Sequence, residues 1–594
     1  MEKQALTGGE FLIKDLDYQD IFIPEEFNEE QKMIAQTCRD FIHNEVLPRW
    51  KEMDDHNPEL MKQWLKKAGE LGLLAISIPE EYEGFGQDFV TSMLASDLMG
   101  AGYSFSVAFS AHTGIGSLPI MYYGNEEQKR KYLPKLATGE WIGAYCLTEP
   151  GAGSDANSGT TRATLSEDGK YWILNGQKMW ITNGGIADVY TVFAKIDNDR
   201  ILSAFIVERG FEGISFGQEE DKMGIRASST VQVFFNNCKV PVENLLGKRG
   251  EGFRIALNIL NLGRIKLGAN VIGASKRIID LSVQYANERK QFRTKIANFG
   301  AIKYKLSEQV IRTFANESAV YRASQNIEDA VQMFMQQGMD KGKAQVEAQR
   351  KFAIEAAILK VYGSEAHDFV VDEAVQIHGG IGFSAEMEVS MAYRDSRINR
   401  IFEGTNEINR MVVADTMIKK GMKKEIALLA AAEEVWNQFR NLPEKPQLPD
   451  EYYERNHLYI SNFKKATQLI TKLTIEKYGR KFSDEQEILT ALANMMIQLY
   501  IAESLLLRVE KLDKKFSHHH IDIIKDILDV FIFESAKIIR DNGLDALYAL
   551  TDDIDDFKKA LEYYTSVKPF DVKAARRRIA DKLIEENRYF LDSY

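Results

Sequence analysis

The spacing of hydrophobic side chains divides the chain into long helical stretches and one stretch of strands. From residue 27 to 140 apolar positions recur at helical spacing, as at Ile34, Phe41 and Ile42, which predicts amphipathic helices. From residue 141 to 247, short runs rich in β-branched and aromatic residues alternate with Gly, Asn and Asp turns and predict strands, for example at 190–194, 201–207 and 231–235. Helical spacing returns at about residue 248 and lasts to about residue 432.

A proline-rich segment follows. Pro443, Pro446 and Pro449 are three of the chain's 12 prolines. Helix interiors exclude proline, so we expect a linker over residues 433–452. Helical spacing resumes afterwards, and Ser483 with Gln486 has the capping-box pattern of a helix start. The predicted fold class is mainly α with a central β-domain. Its units are an N-terminal α-helical domain (27–140), a middle β-domain (141–247), a C-terminal α-helical catalytic domain (248–432), the linker, and an additional α-helical domain (453–594).

Length, charge and cysteine content narrow the function classes. The 594 residues exceed the roughly 100–200 residues of one domain. Asp and Glu outnumber Lys and Arg by 87 to 75, a net charge of −12, which argues against general nucleic-acid binding. No uncharged apolar run reaches the roughly 18–20 residues of a membrane span, and the N-terminus lacks a signal-peptide pattern. Three cysteines without CxxC spacing predict a cytoplasmic protein.

Two clusters of charged or polar residues are expected to have no ligand. The three histidines at 518–520 are consecutive and cannot all face one metal ion from a helix, so no metal is predicted. The three arginines at 576–578 could meet an anionic membrane surface. A solvated helix face is the more ordinary explanation, and peripheral membrane contact is therefore not predicted.

Three other segments have residues suited to chemistry. Residues 146–155 form a loop rich in Gly and hydroxyl groups, which can present N–H groups to a phosphate or a ring edge, although an ordinary turn explains it equally well. Trp180 and Thr182 are two apart near a strand end and could both meet a flat ring; a strand end with one buried Trp is the alternative. Glu403 lies between an apolar pair and a glycine, where desolvation would raise its pKa and suit a base. A surface turn is the alternative there.

In this order and spacing, the three segments resemble the acyl-CoA dehydrogenase family. Further matches lie at residues 239–247, 250–253, 288–292 and 376–383, and the resemblance covers about residues 27–420. Residues 421–594 exceed the usual family length and resemble the very-long-chain branch, which has a second α-helical domain. The resemblance implies FAD as the cofactor, acyl-CoA as the substrate and trans-2-enoyl-CoA as the product, in fatty acid β-oxidation. It further implies an electron-transfer flavoprotein as the electron acceptor and a homodimer.

The resemblance also assigns roles to residues. Glu403 would be the catalytic base that takes the α-proton. The residues that would bind FAD are Leu147, Thr148, Ser154, Trp180, Thr182, Arg289, Phe292, Gln376, Gly379, Gly380, Thr405 and Asn406. The residues that would bind acyl-CoA are Ser154, Asn261, Arg264, Phe402, Gly404, Ser106 and Ser110.

Three of these assignments carry further expectations. Arg289 and the 376–380 segment would reach the FAD of the neighbouring subunit. The two serines match the far end of the acyl tunnel, and their small size predicts acyl chains of about C14 or longer. Gly300 departs from the family, most of which has a glutamine there that contacts FAD.

Other functions remain open from the sequence. An acyl-CoA oxidase or a flavin monooxygenase could use the same fold, and a non-enzymatic assembly role is a third possibility. A monooxygenase needs no α-proton base, so Glu403 argues against it. An oxidase is compatible with Glu403, because reactivity with oxygen depends on access to the reduced flavin. The matched set of catalytic residues argues against assembly as the sole role.

Overall fold

The computed structural model describes residues 5–592, and it begins with a unit of short helices. Side chains cap several of them: Asn28 Oδ1 accepts from Gln31 N at 2.8 Å, and Asn125 Oδ1 accepts from Gln128 N at 2.9 Å. These bonds satisfy N–H groups that a helix start leaves free. The helices are α1 (Glu29–Phe41), α2 (Pro58–Glu70), α3 (Phe89–Met99), α4 (Ser104–Ala111), α5 (Leu118–Tyr123) and α6 (Glu126–Thr138).

A mixed sheet follows. Its strands are β1 (Gly143–Cys146), β2 (Arg162–Leu165), β3 (Tyr171–Thr182), β4 (Val189–Ile196), β5 (Ser203–Glu208), β6 (Ile214–Phe216), β7 (Thr230–Pro241) and β8 (Leu245–Leu246). Their order is β6-β7-β3-β2-β4-β5-β8, and β1 pairs with β4 in parallel. Every residue of β4 is buried, which explains why its sequence is mostly apolar.

Long helices and a small hairpin form the next unit. They are α7 (Gly252–Glu288), β9 (Lys290–Gln291), β10 (Thr294–Lys295), α8 (Gly300–Gln336), α9 (Lys341–Lys351), α10 (Ala353–His378), α11 (Glu388–Ser396) and α12 (Asn406–Met422). Helices α3 and α7 touch backbone to backbone, because a Cβ on Gly273 would lie 2.0 Å from the carbonyl oxygen of Asp97. Only glycine permits that approach, and it fixes α7, whose middle forms one wall of the site described below.

The remaining helices form the additional α-helical unit and its connection. They are α13 (Leu428–Gln438), α14 (Tyr452–Tyr478), α15 (Gln486–Lys511), α16 (Ile521–Leu550), α17 (Asp555–Tyr564) and α18 (Val572–Glu586). Of the predicted linker 433–452, residues 442–451, which include the three prolines, are not helical, whereas residues 433–441 belong to α13 and a short 3₁₀ helix after it. The segment Gln486–Phe516 is long and apolar enough to cross a membrane, but 89% of its most apolar window is buried in the protein. It is packed as a core helix.

One local expectation in this unit is wrong, and a second holds only for part of its residues, since Arg577 and Arg578 are exposed but Arg576 is not. Ser483 does not cap α15: its Oγ donates to Asp415 Oδ1 on α12 at 2.5 Å, and α15 follows Glu485, which makes no side-chain cap bond. The arginine run is not simply solvated, because Arg576 Nε donates to Glu308 on α8 at 2.8 Å. In both cases tertiary partners on other helices outweigh the local pattern.

Buried charges join the additional unit to the rest of the protein. Arg508 on α15 lies 2.6 Å from Glu317 on α8 and 2.6 Å from Glu25 in the N-terminal segment. Glu317 also pairs with Lys276 on α7 at 2.6 Å. Removing one partner of such a buried pair typically costs about 3–5 kcal/mol. The predicted fold class, mainly α with a central β-domain and an additional α-helical C-terminal unit, is confirmed.

Candidate active site

The loop that contains Glu403 has an unusual backbone conformation. Glu403 has φ 58° and Gly404 has φ 81°, and the left-handed region strains a residue that carries a Cβ. Thr405 caps α12 with its Oγ1, which accepts from Ile408 N at 3.3 Å. Asn409 Nδ2 donates to the carbonyl oxygen of Gly404 at 2.8 Å. The first turn of α12 therefore holds the loop in its strained form.

The carboxyl group of Glu403 lies against α7 where that helix has no side chain. A Cβ on Gly263 would lie 2.5 Å from Glu403 Oε2. This oxygen is buried and has no hydrogen-bond partner among residues 5–592. Burial raises the pKa of Glu403 to about 7, against the charges of Arg264 and Lys360, which lower it. Near neutral pH the carboxyl group is thus present in both protonation states, which suits a general base.

The predicted substrate residues of α7 lie beside this carboxyl group. Arg264 and Asn261 are buried, and Arg264 Nη1 donates to Asn261 Oδ1 at 2.8 Å. Arg264 Nε donates to the carbonyl oxygen of Glu403 at 3.2 Å. Phe402 and Gly404 are half-buried in the same loop. The structure therefore brings four predicted substrate residues together around the predicted base.

A second cation approaches Glu403 from α10. Lys360 is fully buried, and its Nζ donates to Asn406 Oδ1 at 2.6 Å. Burial lowers the pKa of Lys360 to about 7, and the charge of Glu403 acts in the opposite direction. Asn406 Nδ2 donates to Glu365 Oε1 at 3.1 Å. The side chain of Asn406, predicted to bind the cofactor, is thus engaged inside the protein. Of the first turn of α12, Ile408 N is already bonded to Thr405 Oγ1, so a ligand could reach only the N–H groups before it.

A buried ion pair fixes the loop that follows β1. Glu149 Oε1 lies 2.7 Å from Lys178 Nζ, and neither side chain is more than 3% exposed. Burial alone would raise the pKa of Glu149, but Lys178 and hydrogen bonds from Thr160 and Thr161 hold it at about 2. Lys178 Nζ also donates to the carbonyl oxygen of Leu147 at 3.0 Å. The predicted flavin-binding loop is therefore held by charges in its interior.

Trp180 stands at a bulge near the end of β3. The register with β7 shifts here, and Trp180 has φ 59°, so the strict alternation expected for Trp180 and Thr182 is broken. The indole is 54% exposed, which rules out a buried tryptophan. Met179 N donates to the carbonyl oxygen of Thr148 at 2.9 Å. The bulge therefore exposes an aromatic side chain next to the loop after β1.

That loop is also open to a ligand. Ser154 is exposed, and a Cβ on Gly151 or Gly153 would meet no atom within 4 Å. Together with the exposed side chain of Trp180 beside it, this open loop fits a flat ring with a polar edge. The residues present therefore fit FAD.

The other predicted cofactor residues lie at the shared end of α7 and α10. Tyr285 and His378 stack there with ring centroids 4.2 Å apart. Phe292, at the tip of the hairpin, is 90% exposed. The exposed members of this set are Arg289, Phe292, Gln376, Gly379 and Gly380. Such an apolar and basic surface is suited to contact with another chain.

Gly300 and the two tunnel serines each lie beside a residue whose proximity the sequence did not predict. A Cβ on Gly300 would lie 3.1 Å from Arg577 Nη2 on α18. Asn270 Nδ2 on α7 donates to Ser106 Oγ at 2.5 Å and to Ser110 Oγ at 3.5 Å. A neighbouring small pocket is lined by other residues of this region, among them Phe109 and Thr113, and by neither serine.

Four further residues of the site were not singled out from the sequence. They are Gly263, Lys360, Glu149 and Lys178. Gly263 lies between the predicted substrate residues Asn261 and Arg264, and Glu149 lies in the 146–155 loop, but their local sequence does not show what they contact. The lysines have no local signal, because their partners are distant in sequence. Within the described residues no group of three or more His, Cys, Asp or Glu side chains could hold a metal ion.

Comparisons with known proteins agree with this geometry. Family models described as the acyl-CoA dehydrogenase N-terminal, middle and C-terminal domains match residues 28–140, 144–238 and 250–418, and a further acyl-CoA dehydrogenase C-terminal domain matches residues 462–563. A probable acyl-CoA dehydrogenase of Bacillus subtilis is 44% identical over 98% of this chain and 98% of its own length.

One further relative is a very long-chain specific enzyme, and one solved structure contains FAD. The very long-chain specific acyl-CoA dehydrogenase of Macaca fascicularis is 38% identical over 80% of this chain and 74% of its own length. A crystal structure of an acyl-CoA dehydrogenase complexed with FAD from Bacillus anthracis has a TM-score of 0.95 and 43% identity, covering 99% of this chain and 100% of that one. The chain belongs to the acyl-CoA dehydrogenase family. The predicted resemblance, the enzyme class and the FAD cofactor are confirmed.

Proposed function

We propose that this acyl-CoA dehydrogenase oxidises long-chain fatty acyl-CoA across the α,β bond, with Glu403 as the base. The observation that supports this role is the carboxyl group of Glu403, whose buried Oε2 has no partner among residues 5–592. Its raised pKa of about 7 suits proton abstraction near neutral pH. FAD, when bound, supplies the acceptor for the β-hydrogen as hydride.

The residues of this chain bind and orient the acyl-CoA thioester and remove its α-proton. Glu403 takes the α-proton of the thioester onto a carboxyl oxygen. No residue of the described chain accepts a hydrogen bond from the N–H of Glu403, so this donor is free to stabilise the developing negative charge on the thioester oxygen. Arg264 and Asn409 keep the loop in place through its carbonyl groups. Leu147, Thr148, Trp180 and Thr182 would hold the flavin ring, and the product is a trans-2-enoyl-CoA.

The direct test is Glu403→Gln, which preserves size and removes the basic oxygen. We expect FAD content and thermal stability near those of the wild type. Flavin bleaching by palmitoyl-CoA without oxygen should slow by about 10²–10⁴-fold. Stopped-flow absorbance measures the bleaching. Reduction of the variant at a near wild-type rate would show that another group is the base.

The long-chain preference rests on small side chains at Ser106 and Ser110 and on similarity to a very long-chain specific relative. Each additional buried methylene contributes about 0.8 kcal/mol where there is room. Ser106→Gln with Ser110→Glu should therefore lower kcat/KM for C16 far more than for C8. A wild type that favours C8, or a double variant with an unchanged C16/C8 ratio, would contradict the proposal.

An electron-transfer flavoprotein as acceptor is part of the same proposal, as the family resemblance implies. The reduced enzyme should pass electrons to that protein much faster than to oxygen. The two reoxidation rates, measured side by side after anaerobic reduction, decide between a dehydrogenase and the oxidase alternative. Faster reoxidation by oxygen would favour the oxidase.

We also propose a homodimer and a cytoplasmic location. The exposed hairpin with Phe292 and the exposed glycines near Gln376 support contact with a second chain, and light scattering should give twice 67.6 kDa. Twice that dimer mass, or the monomer mass, would contradict it. The three cysteines are buried and free, which suits a reducing compartment; cell fractionation tests the location.

A further inference from the structure

The additional α-helical unit contacts the helix that follows Glu403. Arg410, one turn into α12, donates through Nε to Asn494 Oδ1 on α15 at 2.7 Å. Asn494 Nδ2 donates to Asn542 Oδ1 on α16 at 2.9 Å, so both ends of this amide are engaged. The side chain of Arg410 is only 17% exposed. The contact is therefore largely shielded from water, where a missing hydrogen bond is costly.

The same guanidinium group belongs to the network beside the base. Arg410 Nη2 donates to Glu365 Oε2 at 2.9 Å, and Glu365 Oε1 accepts from Asn406 Nδ2 at 3.1 Å. Asn406 Oδ1 accepts from Lys360 Nζ at 2.6 Å. A continuous chain of side-chain hydrogen bonds thus runs from the additional unit to the cation that faces Glu403.

We propose that the additional α-helical unit positions the catalytic base, with Asn494 orienting Arg410 and thereby holding Lys360 in place beside Glu403. Asn494 is then a positioning residue for the dehydrogenation, and the inference rests on the proposed role of Glu403. The planar guanidinium group binds Asn494 and Glu365 at once, which fixes its orientation.

The charged groups around the base determine what a loosened network would do. Glu403 is faced by Arg264 from α7, Lys360 from α10 and Tyr145 from β1. Lys360 is faced in addition by Glu365 and by Glu407.

Displacement of Asn406 would leave the buried ammonium group of Lys360 without its hydrogen-bond acceptor. This favours the neutral amine. Since the positive charge of Lys360 lowers the pKa of Glu403, its loss should move the acid limb of the rate profile to higher pH.

Two variants of nearly the same size distinguish the effect of the hydrogen bond that residue 494 accepts from Arg410 from an effect of packing. Asn494→Leu removes the acceptor, and Asn494→Asp keeps one for Arg410. The matched control is Ser483→Ala, which removes the other described hydrogen bond between α12 and this unit, at Asp415. Asp415 lies five residues beyond Arg410, about 7.5 Å along the helix, and it retains an ion pair with Lys419 at 2.7 Å.

We expect Asn494→Leu to slow anaerobic flavin reduction roughly 10- to 100-fold, as a small displacement of a reacting group does. KM should change little and the acid limb should move to higher pH. Asn494→Asp and Ser483→Ala should have the reduction rate and the pH profile of the wild type. Hydrogen exchange of the holoenzyme should show faster exchange over residues 405–410 in Asn494→Leu alone.

The inference is overturned if Asn494→Leu and Ser483→Ala have the same rate and the same pH profile. If the Asn494→Leu variant does not fold, Arg410→Lys is used instead, because a lysine cannot reach Asn494 and Glu365 together. An unchanged pH profile in Arg410→Lys would also overturn the inference. Failure of the proposed function is a different result: Glu403→Gln would then reduce its flavin at the wild-type rate, whatever residue 494 does.

Discussion

Gly263→Ala tests where the catalytic carboxyl group lies during the reaction. The new Cβ would lie 2.5 Å from Oε2 and 2.8 Å from Cδ of Glu403. Carbon–oxygen contacts are seldom closer than about 3.3 Å, so the carboxyl group must retreat by roughly 0.8 Å. A displacement of about 1 Å can cost on the order of 10²-fold in rate. We therefore expect flavin reduction by acyl-CoA to slow by roughly 10- to 100-fold, with little change in KM.

Stability should respond in the opposite direction. Alanine is favoured over glycine inside a helix by about 1 kcal/mol. The three nearest atoms to the new Cβ all belong to the end of the Glu403 side chain, which can move at low cost. The free energy of unfolding should therefore stay the same or rise by up to about 1 kcal/mol.

Stopped-flow reduction and thermal unfolding measure the two effects on the same samples. Gly273→Ala is the matched control, being the same substitution in the same helix. Its Cβ would lie 2.0 Å from the backbone carbonyl oxygen of Asp97, which cannot move aside, so this variant should lose stability, in contrast to Gly263→Ala. A Gly263→Ala enzyme that reduces its flavin at the wild-type rate would refute the placement of the base.

Two further predictions concern charge. The rate of flavin reduction should rise with pH through about pH 7, because Glu403 has a pKa raised to about 7 and acts only when deprotonated. Lys360→Met removes a charge that lowers this pKa and should move the acid limb of the rate profile to higher pH. Stopped-flow rates measured over a pH series test both expectations. An unmoved limb would show that Lys360 does not act on the base. Lys178→Met leaves Glu149 buried and unpaired and should lower the free energy of unfolding by about 3–5 kcal/mol, measured by denaturant titration at pH 7. The pKa of Glu149 is lowered from 4.5 to about 2, so the stabilisation by the ion pair is present above about pH 4.5 and is lost as the pH falls toward 2. If Lys178→Met lowered the free energy of unfolding at pH 7 by less than about 1 kcal/mol, the result would contradict the pairing.

The sequence predicts most of the fold because its patterns are local. The apolar run of β4 and the prolines at 443–449 each indicate their structure within a few residues. Ser483 shows the limit of such patterns, since its hydroxyl group bonds to Asp415, 68 residues away, instead of capping the adjacent helix. Trp180 shows another limit, because the bulge at this residue depends on pairing with β7, which alternation along one strand cannot reveal.

The same distinction explains which site residues could be found. Glu403 was predicted because it lies between an apolar pair and a glycine and because its segment resembles the family motif. Lys360 has no such local signal: it bonds to Asn406, 46 residues away, and its sequence context is that of an ordinary buried helix. Gly263 lies inside a matched segment, yet its role depends on the absence of a side chain opposite a distant carboxyl group. Residues that act on the base from other elements require the three-dimensional structure.

The pKa of Glu403 is a balance between burial and two cations, and this balance explains why distant residues can influence the reaction. Burial alone would keep the carboxyl group protonated at neutral pH, and the cations alone would make it too weak a base. Arg264 comes from α7 and Lys360 from α10, while the loop itself is held by α12. A shift of one pKa unit corresponds to about 1.4 kcal/mol, a difference that one misplaced hydrogen bond in this network can produce. In the positioning role proposed above, the additional unit acts on the base through Arg410 and the position of α12.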